Sequence, residues 1–292
     1  MIAFLQQIVS GSAVGIVYAL VALGFVMVHK ATQVFNFAQG ELMMLGAFVA
    51  YTFIVLFGLP FWLGGVIAIA SVALFGAALD RILLRRMVGT KPFTIFMLTV
   101  GIGFCIRSIV MLVPIWGTET YSLPSPLQGK VFSLGGLIIS ADHAVILLTA
   151  ALVTVALFAF FQFTRLGLAM RAISQNSLAA SYLGVRVDSL FSIVWALSAA
   201  AAALAGVMLA PLSFVHSDMG QIGLKAIPAA VLGGFDSLPG ALVGGLIIGI
   251  VEALAGFYLP EGVKDVAAYI VLLVVLAVKP RGLFGHADVK KV

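Results

Sequence analysis

The chain has 292 residues, of which 63% are hydrophobic and only 9% charged, with a formal net charge of +5. A soluble protein of this length needs a surface with roughly a quarter or more charged residues, so a soluble fold is excluded in favour of a polytopic membrane protein with almost no extramembrane domain. The basic excess fits membrane topology better than nucleic acid, and a single cysteine, Cys105, leaves no internal disulfide.

The first apolar run extends from Ile8 to Val28 and has neither the basic start nor the small-residue cleavage site of a signal peptide, so it reads as a retained helix. Gly11 and Gly15 give it small-xxx-small spacing, which lets helices approach closely. The polar stretch His29 to Glu41 follows, and leads straight into the run Leu42 to Leu56. Asn36, Gln39 and Glu41 stand at that helix start. They admit two readings: ordinary satisfaction of free N–H groups at the positive end of a helix dipole, or the polar edge of a broken helix bordering a pathway.

The third run, Phe61 to Leu79, ends in a basic group from Arg81 to Lys91. The fourth, Phe93 to Val113, contains Arg107; an arginine within a span needs a partner or water, and reaching for the far interface accounts for it. Trp116 to His143 is weakly hydrophobic, poor in basic residues and carries Pro124 and Pro126, which makes it an external loop where a soluble partner could dock.

The fifth run, Ala144 to Phe163, returns to the basic stretch 165–188. Within it Asn176 can cap a helix over Ser177–Leu183, and Gly184 can end that helix in the left-handed conformation. Two turns are too few to persist alone, so the segment either lies against another subunit or is an ordinary loop with a frayed turn. The sixth run, Leu190 to Leu209, sets Ser198, Ala202 and Gly206 on one packing stripe. Met219 to Gly234 is short for a span and is interrupted by Lys225 and Pro228, so a re-entrant or broken segment is expected. Ala241 to Tyr258 carries Glu252 and is entered by the packing pairs Gly240/Gly244 and Gly245/Gly249; Val263 to Val278 is the last run.

Lys30, the Arg81–Lys91 group, Arg165, Arg171, Arg186 and the tail from Lys279 fall on one side if the short segment returns to the cytoplasm. The expectation is an all-α transmembrane bundle forming one domain over 1–292, with about eight spans plus one short segment, a cytoplasmic C-terminus and an external N-terminus. Phe35–Glu41 and Met219–Lys225 are matching polar interruptions, which suggests an inverted repeat.

Four stretches then resemble one family. Asn36–Phe48 (N-F-A-Q-G-E-L-M-M-L-G-A-F) is similar to the signature of permease subunits of branched-chain amino acid ABC importers, in particular the shorter of the two permeases of that system. Arg171–Val185, Ala226–Gly234 and Lys279–Gly285 are similar to other parts of that family, in the same order. Ala179, Ala180 and Gly184 also resemble a general importer motif that begins Glu-Ala-Ala, although Leu178 stands where the glutamate would be.

The resemblance implies a bacterial inner-membrane importer. It would comprise a second homologous permease, two ATP-binding subunits that bind the nucleotide, and a periplasmic substrate-binding protein. It assigns Arg171, Asn176, Ala179, Ala180 and Gly184 to coupling, and Asn36, Gln39 and Glu41 to shaping the pathway. This chain would need no cofactor of its own, since it has no G-x-x-x-x-G-K-[ST] loop, and no metal, since its histidines and acids show no ligand spacing. Relatives of the family are associated with other amino acids, amides, urea and aromatic acids. The alternative class is an ion-coupled secondary transporter, with Glu41 and Glu252 as its only candidate carboxylates. A membrane hydrolase is excluded by the lack of G-x-S-x-G and by histidines confined to run ends.

Overall fold

The computed structural model describes residues 2–87, 90–134, 137–175, 177–260 and 262–285. The helices are α1 (Ile2–Thr32), α2 (Gln39–Tyr51), α3 (Phe61–Ile82), α4 (Pro92–Leu112), α5 (Ala141–Phe163), α6 (Arg165–Gln175), α7 (Ser177–Tyr182), α8 (Val187–Ser213), α9 (Met219–Leu224), α10 (Ala226–Gly233), α11 (Leu238–Tyr258) and α12 (Val263–Val278). The last turn of α2 widens into a π-helix over Thr52–Leu56. Among the described helices, seven are long and apolar enough to cross a membrane. α12 has 16 residues, about 24 Å of helix against a hydrocarbon core of roughly 30 Å.

Local chemistry sets the boundaries. α4 opens on Pro92, which lacks the N–H that a first turn leaves unpaired anyway, and the Ser237 side chain caps α11 by accepting from the Gly240 N–H at 3.0 Å. The short segment is two helices, α9 and α10, bent at Lys225. Pro228 has no N–H to give the Leu224 carbonyl, which breaks the ladder there.

The loop 116–143 is not wholly irregular. It holds an antiparallel hairpin, Val131–Leu134 (β1) with Leu137–Ser140 (β2), and Tyr121 makes an isolated bridge to Val215. The chain is the all-α bundle expected, with this small sheet as a local addition whose turn residues lie outside those described.

α1 is buried from Gly11 to Val28 apart from half-buried Ser12 and Val14, whereas α3, α4 and α5 turn large apolar side chains such as Leu74, Phe104, Leu112 and Leu148 outward. That is the arrangement a bilayer solvent permits. Glycines set the closest crossings: a Cβ added at Gly15 would fall 2.7 Å from the Gly245 carbonyl oxygen, and one at Gly245 would fall 2.5 Å from the Ala19 nitrogen. Gly249 meets Gly15 and Gly11, while Gly240 and Gly244 turn to Gly233 and Ala229 on α10. α11 therefore presents neighbouring glycine faces to two helices.

Gly249→Ala is expected to cost about 1–3 kcal/mol by overpacking, read as a lower melting temperature of the detergent-purified protein. Gly101→Ala, whose new methyl meets nothing within 4 Å, is the matched control. Equal melting temperatures would show that the close crossing does not stabilise the fold.

The packing is reciprocal between the two halves. α1 packs on α11 and α8 on α3; α2 packs on α8 and α10 on α1; α2 touches α4 and α10 touches α12. Gly76 lies against Trp195 and Ala199 while Gly65 faces Val207, so α3 and α8 run antiparallel, as α1 and α11 do. Two halves of opposite direction produce this pattern around a shared axis. At that axis the two broken pieces meet: Gly40 packs directly on Gly220 and Gly223.

Candidate translocation site and coupling helix

Asn36 and Gln39 are fully buried. The Asn36 Nδ2 donates to Gln39 Oε1 at 2.9 Å, and Asn36 Oδ1 accepts from the Ala38 N–H at 3.1 Å. Gln39 Nε2 donates to the Ser198 carbonyl at 3.0 Å, and the Ser198 hydroxyl lies within donating reach of two acceptors, Gln39 Oε1 and the Gly24 carbonyl. Buried amides are tolerated only when paired in this way. Together they tie the start of α2 to α1 and α8, so they fix the joint and do not face open space.

Glu41 differs. Its carboxyl sits against Gly220 and its Cγ lies 3.4 Å from where a Gly103 Cβ would be. Its Oε2 is buried without a hydrogen-bond partner. Arg107, one turn beyond Gly103 on α4, forms an ion pair with Asp218, two residues before Gly220. Arg107 is therefore not simply reaching for the interface; it joins the first half to the second.

A second charged group lies at the bend between α9 and α10. Lys225 Nζ donates to Glu252 Oε1 at 2.6 Å and to Asp265 Oδ1 at 2.8 Å, and the Tyr18 hydroxyl donates to Glu252 Oε2 at 2.6 Å. Glu252 and Glu41 thus lie apart, in different clusters. Two clefts border this region. One of about 390 Å³ runs between α1 and α11 past Tyr18, Glu252 and Lys264. The other, of about 210 Å³, is walled by Phe25, Phe35, Phe37, Ile227, Val231 and Phe235, all apolar.

At the basic end of the bundle, α7 is a short helix closed by Gly184, whose φ of +84° suits glycine. The Gly184 N–H reaches the Ser181 carbonyl at 3.0 Å and the Val185 N–H the Ala180 carbonyl at 3.1 Å. Ala180 is buried against the body and Ala179 is exposed. Asn176 lies outside the described residues. Arg171 turns back to α5, donating to the Gln162 carbonyl at 3.1 Å, so it braces the corner between α5 and α6. Sequence reasoning passed over Tyr182 and Leu183, which project from this segment at 89% and 84% exposure. Two large apolar residues just before a helix-ending glycine, in a polar stretch, were the available signal.

Comparison with known proteins completes the picture. Residues 7–276 match the family described as "Branched-chain amino acid transport system / permease component". The chain is 35% identical to the high-affinity branched-chain amino acid transport system permease protein LivH of Escherichia coli, over 99% of this chain and 98% of that protein. It is 33% identical to BraD, the corresponding permease protein of Pseudomonas aeruginosa, over 99% and 98%. It is 29% identical to the guanosine ABC transporter permease protein NupQ of Bacillus subtilis, over 93% and 90%. PsaBC from Streptococcus pneumoniae, solved in complex with Fab, shares the fold with a TM-score of 0.52 at 16% identity, over 95% of this chain and 92% of that one. With a near-complete family match and full-length relatives of this kind, the chain belongs to the permease family of branched-chain amino acid transport systems.

Proposed function

We propose that this chain forms one half of the channel of an ATP-driven importer of branched-chain or related amino acids. The observation that carries the reading is α7, a six-residue helix with Tyr182 and Leu183 held out from the basic end of a bundle that has little else outside the membrane. Such a short helix needs a surface to lie against, and an ATP-binding subunit supplies it. A second homologous permease completes the channel, and a binding protein delivers substrate at the opposite end, beside the loop 116–143. The basic end faces the cytoplasm of a bacterial inner membrane, with the C-terminus inside and the N-terminus outside.

Nucleotide-driven motion of α7 passes through α6 and α8 to the joint at Gly40, Gly220 and Gly223. Asn36 and Gln39 keep that joint rigid. The apolar cleft beside it suits aliphatic side chains, which supports leucine, isoleucine and valine over the guanosine named for the more distant relative.

The test is purification of the tagged chain from its native membrane, with identification of what accompanies it. A second permease and two ATP-binding subunits are expected. A homo-oligomer that transports without any ATPase would overturn the reading in favour of an ion-coupled carrier.

A further inference from the structure

We propose that Glu41, Arg107 and Asp218 form a recognition site for the charged end of a zwitterionic α-amino acid. Glu41 receives the ammonium group, and Arg107, released from Asp218, receives the carboxylate. The proposal rests on the permease reading above and adds a place and a chemistry to it.

Three observations converge. Glu41 is wedged between α4 and α9, its carboxyl against the Gly220 backbone and its Cγ beside Gly103, where only glycines let it fit. Its Oε2 is buried and unbonded, a costly state for a carboxylate that a cationic ligand relieves. Arg107 stands one turn from Gly103 on the helix that Glu41 packs against, yet it pairs with Asp218 instead.

Exposure tells which partner can let go: the Arg107 side chain is 23% exposed and Asp218 is 60% exposed. Asp218 therefore loses little on returning to water, while Arg107 keeps a bidentate anion partner in the incoming carboxylate.

The other half supplies the contrast. There Lys225 meets both Glu252 and Asp265, and Tyr18 takes the remaining Glu252 oxygen. That cluster is closed, whereas the Glu41 cluster has one acceptor left over.

A helix-start role explains Glu41 only in part. α2 has no side-chain cap at its N-terminus, and a carboxylate serving the dipole alone does not need a buried, unbonded oxygen.

The test measures thermal stability of the purified protein, with all co-purifying subunits, in lipid nanodiscs. The probes are leucine, leucinamide (no carboxylate) and 4-methylpentanoate (no ammonium). Leucine is expected to raise the melting temperature and neither analogue to do so. Glu41→Gln and Arg107→Gln should weaken the leucine response about tenfold or more, the cost of one charge-assisted contact. Asp218→Asn should strengthen it, because Arg107 is freed; a purely structural role predicts the opposite sign.

A leucine response unchanged in Glu41→Gln, or weakened in Asp218→Asn, overturns the site, as does a wild-type protein that leucine does not protect. ATP-binding subunits that co-purify without any leucine protection sink the site and leave the importer standing. Glu41-dependent leucine protection without those subunits does the reverse.

Discussion

Replacing Tyr182 and Leu183 together with aspartate abolishes import while the protein remains inserted and folded. Neither side chain supports the bundle, since they are 89% and 84% exposed. The neighbouring Ala180, buried and hydrogen-bonded through its carbonyl to Val185, holds the segment to the body. Two large apolar anchors at an interface centre are each worth about 2 kcal/mol or more. Losing both, with charges put in their place, is expected to reduce uptake at least ~100-fold. The measurement pairs uptake by cells with the amount of protein in their membranes and the ATP-binding subunits retained on purification. Normal uptake would place coupling elsewhere, with α6 the next candidate.

Lys225→Met is expected to be the most damaging single change inside the bundle. It strips Glu252, only 3% exposed, of its cation and leaves Tyr18 as its remaining partner. Breaking a buried ion pair from one side costs about 3–5 kcal/mol, because a charge stays behind unpaired. Asp265, which is well exposed, contributes little to that loss. Adding Glu252→Gln to Lys225→Met should recover most of the stability, since the orphaned charge is then gone. Thermal unfolding of the two single variants and the double variant gives the coupling energy directly. Additive effects would show that Lys225 acts through something other than Glu252.

The spans were legible because length and apolarity are local properties. Their ends were less so. α1 extends from Ile2 to Thr32, beyond the apolar run Ile8–Val28, because Gln6, Gln7, His29 and Lys30 continue the helix once the core has nucleated it. The bend at Lys225 was visible in Pro228. The hairpin has a turn signal in Gly135-Gly136 between two β-rich stretches, but those stretches are too short and too weakly alternating to stand out from a polar loop. The π-turn at Thr52–Leu56 has no comparable sequence mark.

The site was half legible. Asn36, Gln39 and Glu41 stood out as polar residues beside an apolar run, but their different fates depend on groups far along the chain. Gln39 meets Ser198 and Glu41 meets Gly220. The partner of Arg107 lies 111 residues away, and no spacing rule connects them. The two polar interruptions could be matched as a pair from sequence; that their glycines touch follows only from the packing.

The central position of α1 has a temporal side. It is made first, yet its most extensive neighbour is α11, with α8 and α10 also packed on it. A ribosome adding about 5–20 residues per second needs on the order of 10–50 s to travel from α1 to the end of α11. Throughout that interval the glycine faces of α1 have lipid or insertion machinery beside them. Its main partner arrives late, so assembly of this bundle is gated by translation of its second half.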